Sequence, residues 1–248
     1  MPERLLSRIN ERAELDRLRG LRINYDPARA PQEGVPDGHW HIDSGETAVG
    51  QEIPGPPVRG GPWEVTCQLV REYEFADPRI LRAVYRGHDE LLGRDMLLEG
   101  RFPGLRFYLG VRVTEVIDEI REENGVREQV WGWSYQTLQG HLEQGRLRYE
   151  VIKDLSTGTV TFRVSGYSRR APITSPVIRW GFVIFGRWTQ QRFYRNVLAR
   201  MGTLAGAAQR GRPLPGPLVR SDGLVVAPPG VSPHPLERLA GAWRHPGA

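Results

Sequence analysis

The chain predicts an α+β domain, an antiparallel sheet built as a meander and followed by one long amphipathic helix, on three observations. Apolar residues recur with period two through the middle of the sequence, an Asn-Gly pair separates two such runs, and after Arg170 the period becomes that of a helix. Leu105, Phe107, Leu109, Val111 and Val113 alternate with Arg106, Tyr108, Arg112 and Thr114, the pattern of a strand with one buried face. Asn124-Gly125 is a two-residue hairpin signal.

Before that sheet, Leu5, Leu6, Ile9, Leu15 and Leu18 stand among charges and predict one or two short helices. From Asp26 to Gly61 proline, glycine and polar residues predict an extended arm or coil, suited to covering a sheet edge or pairing with a second copy of the chain. Pro62 to Tyr73 reads in two ways. As a helix it would start on Pro62 and put Trp63, Cys67 and Val70 on one face; as a strand it would alternate at Trp63, Val65, Cys67 and Leu69.

From Ile80 the period is two. Beyond the Asn-Gly turn, Leu147, Tyr149 and Val151 share one face of a further strand, and Val160, Phe162 and Val164 share another after the Ser156-Thr157-Gly158 turn. At 100° per residue, Phe193, Tyr194, Val197, Leu198, Met201, Leu204, Ala205 and Ala208 fill one arc of the final helix, opposite Arg192, Arg195, Arg200 and Arg210. The preceding "PVIRWGFVIFGRW" is apolar all round and too short to span a bilayer, so it is buried or touches lipid superficially. The expected organisation is an N-terminal helix and arm (1–61), a sheet-and-helix domain (62–210) and a Pro/Gly-rich mobile tail (211–248).

Composition narrows the function classes. The start is polar and no run of about eighteen apolar residues occurs, which predicts a soluble, cytoplasmic protein. One cysteine, Cys67, excludes an internal disulfide framework and a multi-thiolate zinc site. The net charge of +5 conceals an asymmetry: residues 155–221 hold eleven arginines and no acid, leaving −6 for the rest. Such a block can attract an anionic membrane surface, with Arg192, Arg195 and Arg200 as the candidate contacts; equally it can simply solvate a helix, since Lys153 is the only lysine and the genome is arginine-rich in style. Nucleic acid is not the expected partner.

No phosphate-binding loop, nucleotide fingerprint, His-Glu-x-x-His or nucleophile elbow is present, and no cofactor is expected. His39, His41 and Asp43 have alternate spacing but no third partner nearby, so no metal is assigned. The aromatic row is more informative. On a strand, Trp131, Trp133 and Tyr135 project to one face, where they make either a core or the wall of an apolar pocket. Gly140, His141 and Gly145 then suit a turn.

The stretches "GWSYQTLQGHLEQG", "GTVTFRVSGYSRRA" and "RFYRNVLARM" resemble the uncharacterised domain of unknown function nineteen-ninety family, over roughly Pro62 to Gln209. Its Tyr-x-Thr-Leu-x-Gly-His-x-x-x-Gly segment corresponds to Tyr135, Thr137, Leu138, Gly140, His141 and Gly145; where the family commonly continues with acids, this chain has Arg146 and Leu147. The resemblance implies the helix-grip fold of Bet v 1-like allergens, steroidogenic-acute-regulatory-type lipid-transfer domains and polyketide cyclases, in which a curved antiparallel sheet wraps a long C-terminal helix around an apolar cavity. It implies a ligand class, a small hydrophobic molecule or lipid, with Trp131, Trp133, Tyr135, Phe107 and Phe162 as candidate walls. Two other readings stand beside it: a cyclase- or hydratase-like enzyme using the same cavity, with His141, Tyr135 and Glu99 as nominees for the acid or base, and a membrane-surface or partner-binding adaptor.

Overall fold

The computed structural model describes residues 10–31, 40–102, 105–123, 125–172, 176–230 and 242–243, without the side chains of 101–107, 123, 176–190 and 242–243. Helix α1 (Glu11–Leu18) starts at Asn10, whose side chain accepts a hydrogen bond from the Ala13 amide at 3.1 Å. There follow strand β1 (His41–Gln51), helix α2 (Pro62–Arg71), and strands β2 (Leu81–Arg86), β3 (Asp95–Phe102), β4 (Leu105–Glu123), β5 (Val126–Thr137), β6 (Glu143–Asp154) and β7 (Thr159–Arg170). Helix α3 (Pro176–Gln209) and three short strands, β8 (Leu218–Val219), β9 (Leu224–Ala227) and β10 (Ala242–Trp243), complete the described chain.

All ten strands belong to one sheet, in the order β1-β7-β6-β5-β4-β3-β2-β9-β8, with β10 pairing β4 off this path. From β2 to β7 it is the expected meander of sequence-adjacent antiparallel neighbours. The β4–β5 hairpin closes on a Glu123↔Val126 pair around Gly125, whose φ of 78° suits the Asn-Gly signal.

The inner face of the sheet packs against α2 and α3. Val197, Met201 and Ala205 of α3 are fully buried there, with Phe193, Tyr194, Leu198 and Leu204 packed alongside, as the helical arc predicts. The outer face carries α1, whose Leu15 and Leu18 are buried against Val84, Leu97, Leu138, Leu224 and Val226. It is also laced with ion pairs: Arg82–Glu99 at 2.6 Å, Arg112–Asp95 at 2.7 Å, Arg148–Glu115 at 3.0 Å and Arg121–Glu150 at 3.1 Å.

Two parts of the expected organisation change. Residues 41–51, assigned to the coil-like arm, are β1, an edge strand held by its full-length ladder to β7. It buries only Val49, so its sequence shows no apolar alternation to read. Residues 218–227, assigned to the mobile tail, extend the sheet beyond β2, and all four residues of β9 are buried. The ambiguity at Pro62 resolves as a helix.

The helical outcome has a local cause. The Glu52 carboxylate, just past β1, accepts from the Trp63 amide at 2.8 Å and the Val58 amide at 2.9 Å, satisfying donors at the start of α2. The same carboxylate pairs with Lys153 at 2.7 Å, and the ammonium also donates to the Pro56 carbonyl at 2.8 Å. Both side chains are sealed from solvent. Burial alone would raise the Glu52 carboxyl, but the hydrogen bonds from Lys153, Trp63 and Val58 outweigh it and hold the group below its ordinary value. The one lysine of the chain therefore ties β6 to the loop that launches α2.

Candidate functional site

Four of the five residues nominated as walls have described side chains, and all four lie on the inner face. Phe107 is outside the described side chains. The four do not form one surface. Trp133 is 1% exposed and Phe162 fully buried, and both belong to a ring-on-ring cluster with Tyr73, Phe75, Tyr135 and Tyr149. Phe75 and Tyr149 have centroids 4.5 Å apart, and Trp133 and Tyr149 5.1 Å. The Trp133 indole N–H donates to the Val70 carbonyl of α2 at 3.1 Å. These distances are those of a packed aromatic core.

Tyr73 and Phe75 reach this cluster because the chain leaves α2 through Tyr73 at φ 62°, a left-handed conformation costly for a bulky residue. The hydroxyls of Tyr73 and Tyr149 are sealed from solvent, and the phenols of Tyr73, Tyr135 and Tyr149 interact with one another. Burial drives the ionisation of Tyr73, Tyr135 and Tyr149 upward, and their mutual proximity adds to the effect on Tyr135 and Tyr149. Next along the chain, Glu74 is fully buried with both carboxylate oxygens unpartnered. Burial lifts it to about 7, against an opposing pull from the Arg200 guanidinium. Arg200 is partly buried, its Nε donating to the Glu74 carbonyl at 2.9 Å, whereas Arg192 and Arg195 are exposed.

Trp131 has a different setting. It lies towards the tip of the β4–β5 hairpin, where α2 stands off the sheet and a groove of about 530 Å³ opens. Trp63, Cys67 and Arg71 come from successive turns of α2, at the spacing that puts residues on one helix face, and they form one wall. Trp131, Gln129 and Asp118 form the other. Asp118 is the cross-strand partner of Trp131, so the two point to the same face. The Arg71 guanidinium lies 4.9 Å from the centroid of the Trp131 ring. Val116 and Ile120, flanking Asp118 at alternate positions of β4, are 39% and 54% exposed. Burial pushes the Cys67 thiol well above its ordinary value, so it contributes bulk rather than a thiolate.

The three acid-base nominees are not brought together. Tyr135 is in the aromatic cluster. Glu99 is on the outer face, fully buried and paired with Arg82. His141 is built into the β5–β6 turn: its Nδ1 accepts from the Glu143 amide at 2.9 Å, and burial depresses its ionisation to about 4, leaving a neutral ring. The rest of the turn follows the same logic. Thr137 Oγ1 accepts from the Gly145 amide at 3.0 Å and donates to Asn24 at 2.7 Å, and Gly140 holds φ 87°. A side chain at Gly145 would strike the Tyr167 carbonyl, 2.2 Å from an added Cβ. The segment that carries the sequence resemblance is thus a turn stitched to the N-terminal arm. His41 is exposed at the start of β1, His39 is outside the described residues, and no group of three metal-ligating side chains occurs among the described residues.

Sequence reasoning found Trp63 and Cys67 on one helix face but missed Arg71, Tyr73, Glu74 and Asp118. Nothing in "REYEF" announces that the backbone turns inward there.

An antiparallel sheet ordered β1-β7-β6-β5-β4-β3-β2, holding a long helix and a short one on its inner face, defines a helix-grip fold. The chain belongs to the domain of unknown function family DUF1990, whose profile matches residues 24–200. The chain is similar to several solved structures at low identity. Ara h 8.0201 is 10% identical over 66% of this chain and 99% of its own, with a TM-score of 0.37. A norcoclaurine synthase point mutant from Thalictrum flavum, solved with a transition-state analogue, is 9% identical over 68% and 96%, at 0.39. The major latex-like protein 151 of Panax ginseng is 12% identical over 67% and 97%, at 0.36. Likenesses this shallow carry no ligand and no reaction across. None of the curated proteins compared with the chain matches it.

Proposed function

We propose that the protein binds a small hydrophobic molecule or lipid on the inner face of the sheet, between the strands and their covering helices, with Trp131 as the principal wall and the α2–hairpin groove as the seat. One observation carries this reading: a groove of about 530 Å³, lined by the indoles of Trp63 and Trp131, opens between α2 and the β4–β5 hairpin. The volume is that of small-molecule sites, and apolar surface in such a groove gains free energy when covered. Fluorescence titration with the neutral probe N-phenyl-1-naphthylamine tests it, alongside native mass spectrometry of freshly purified protein for a retained mass. Saturable binding that falls about tenfold or more in Trp131→Ala supports the reading. Unsaturable binding, or a variant indistinguishable from the parent, overturns it.

A cyclase- or hydratase-like enzyme is the second reading, favoured by Glu74. A buried carboxyl lifted to about 7, with neither oxygen hydrogen-bonded among the described residues, is poised to exchange a proton at neutral pH. That reading replaces His141 and Glu99 with Glu74 as the acid-base group. Its test is turnover of a candidate substrate that collapses in Glu74→Gln while binding of that substrate persists.

A further inference from the structure

The polar groups of the groove narrow the class of molecule it takes, an inference that rests on the ligand-binding reading above. Arg71 makes no hydrogen bond or ion pair among the described residues and is held over Trp131 by the ring alone. Asp118, directly across the strand pair from that ring, is also without a partner. The third charge, Glu64, is engaged by the Gly60 amide at 2.7 Å. The outer face of the same sheet pairs its arginines with carboxylates, whereas here a guanidinium and a carboxylate flank one indole and leave each other unpaired.

Ligand charge has consequences at such a spot. A neutral ligand can seat its apolar body on the ring and leave both exposed charges to solvent, but it gains nothing from them. A monoanion would pair with Arg71 but sit beside Asp118 and Glu64, and a monocation would pair with Asp118 but sit beside Arg71. A molecule carrying both charges satisfies both, and an aromatic body adds ring contact with Trp131 and Trp63. We propose that the groove takes an amphoteric small molecule with an aromatic body, bearing a carboxylate for Arg71 and an ammonium for Asp118, the chemistry of a free aromatic amino acid.

Isothermal titration at low ionic strength with phenylalanine, phenethylamine and 3-phenylpropionate tests the assignment. Phenylalanine should bind about tenfold more tightly than either singly charged probe, because each lacks one charge-assisted pair. In Arg71→Gln the advantage over phenethylamine should vanish, and in Asp118→Asn the advantage over 3-phenylpropionate should vanish. Both residues are exposed, and melting curves confirm that the variants fold. Equal binding of the three probes, or binding unaffected by either substitution, overturns the amphoteric assignment. If N-phenyl-1-naphthylamine still binds through Trp131 in that case, the hydrophobic-ligand reading stands and only the ligand class fails; if neither probe set binds, both fall.

Discussion

Trp131 and Trp133 are two residues apart on one face of one strand, yet they inhabit different environments. Trp133 is closed over by α2 and ringed by aromatic neighbours, with its N–H bonded to Val70. Trp131 is 7% exposed, with the Arg71 guanidinium 4.9 Å from its ring centroid and open volume beside it. The same side chain type therefore serves as core in one place and as a wall in the other, and the difference is set by how closely α2 approaches the sheet. Alternation of side chains says which face a residue takes; it says nothing of what covers that face.

Direct substitution breaks this comparison most severely. Trp133→Ala should lose about 3 to 5 kcal/mol of stability, as usual for deleting a packed core aromatic, while Trp131→Ala should lose less than half of that and show its effect in ligand binding. Denaturant titration of both variants checks it, and equal losses would mean that the groove is as well packed as the core.

Lys153→Met should cost on the order of 3 kcal/mol, because it leaves the Glu52 carboxylate buried and unpaired at the start of α2. Adding Glu52→Gln should restore part of the loss, which a double-mutant cycle reads directly. Since Glu52 positions α2, the single variant should also weaken binding in the groove.

The two perturbed groups that sequence reasoning treated most differently, His141 and Glu74, should shape opposite limbs of the stability profile. His141 is depressed to about 4, so between its ordinary 6.5 and 4 the unfolded chain binds a proton that the folded one does not. Stability from this group is present above pH 6.5 and lost as the pH falls towards 4, by on the order of 2 kcal/mol. Glu74 is raised from 4.5 to about 7, so its folded form holds a proton that the unfolded form has shed. Stability falls as the pH rises from 4.5 to 7, by a similar order of magnitude. Glu74→Gln should flatten the upper limb alone, and unfolding titrations at pH 4.5, 6 and 8 distinguish the cases.

The smallest effect is expected on the outer side of α3. Arg195→Glu should change stability by no more than about 0.5 kcal/mol, as for most exposed positions. Sedimentation with acidic liposomes at low salt reads whether Arg195 contacts an anionic surface; binding that is steep in salt and weakened in the variant would add that role, and unchanged binding would leave Arg195 outside it.

Much of the architecture was legible because burial leaves a period in the sequence. Strands β4 to β7 alternate, the Asn-Gly turn joins β4 to β5, and the arc from Phe193 to Ala208 marks the gripping face of α3. Edge strands leave a weaker trace: β1 gains its order from a backbone ladder to β7, which any residue except proline can make, and β9 is four residues set in a Pro/Gly-rich stretch. His141 falls in the family's motif segment, and the Glu143 amide donating to its Nδ1 shows it serving the β5–β6 turn.

By itself the sequence determined the meander, the amphipathic helix, and the placing of Trp131, Trp133 and Tyr135 on one face, because each rests on interactions between residues close in the chain. Only the tertiary structure decided which of those buried aromatics would join the ring cluster and which would line the groove. That outcome turns on contacts between segments far apart in sequence: Glu52 with Lys153 at the start of α2, Val70 with Trp133 near its end, and Arg71 with Trp131 at the groove. No local pattern encodes such distances, since they depend on where a helix settles once a sheet of ten strands has formed beneath it.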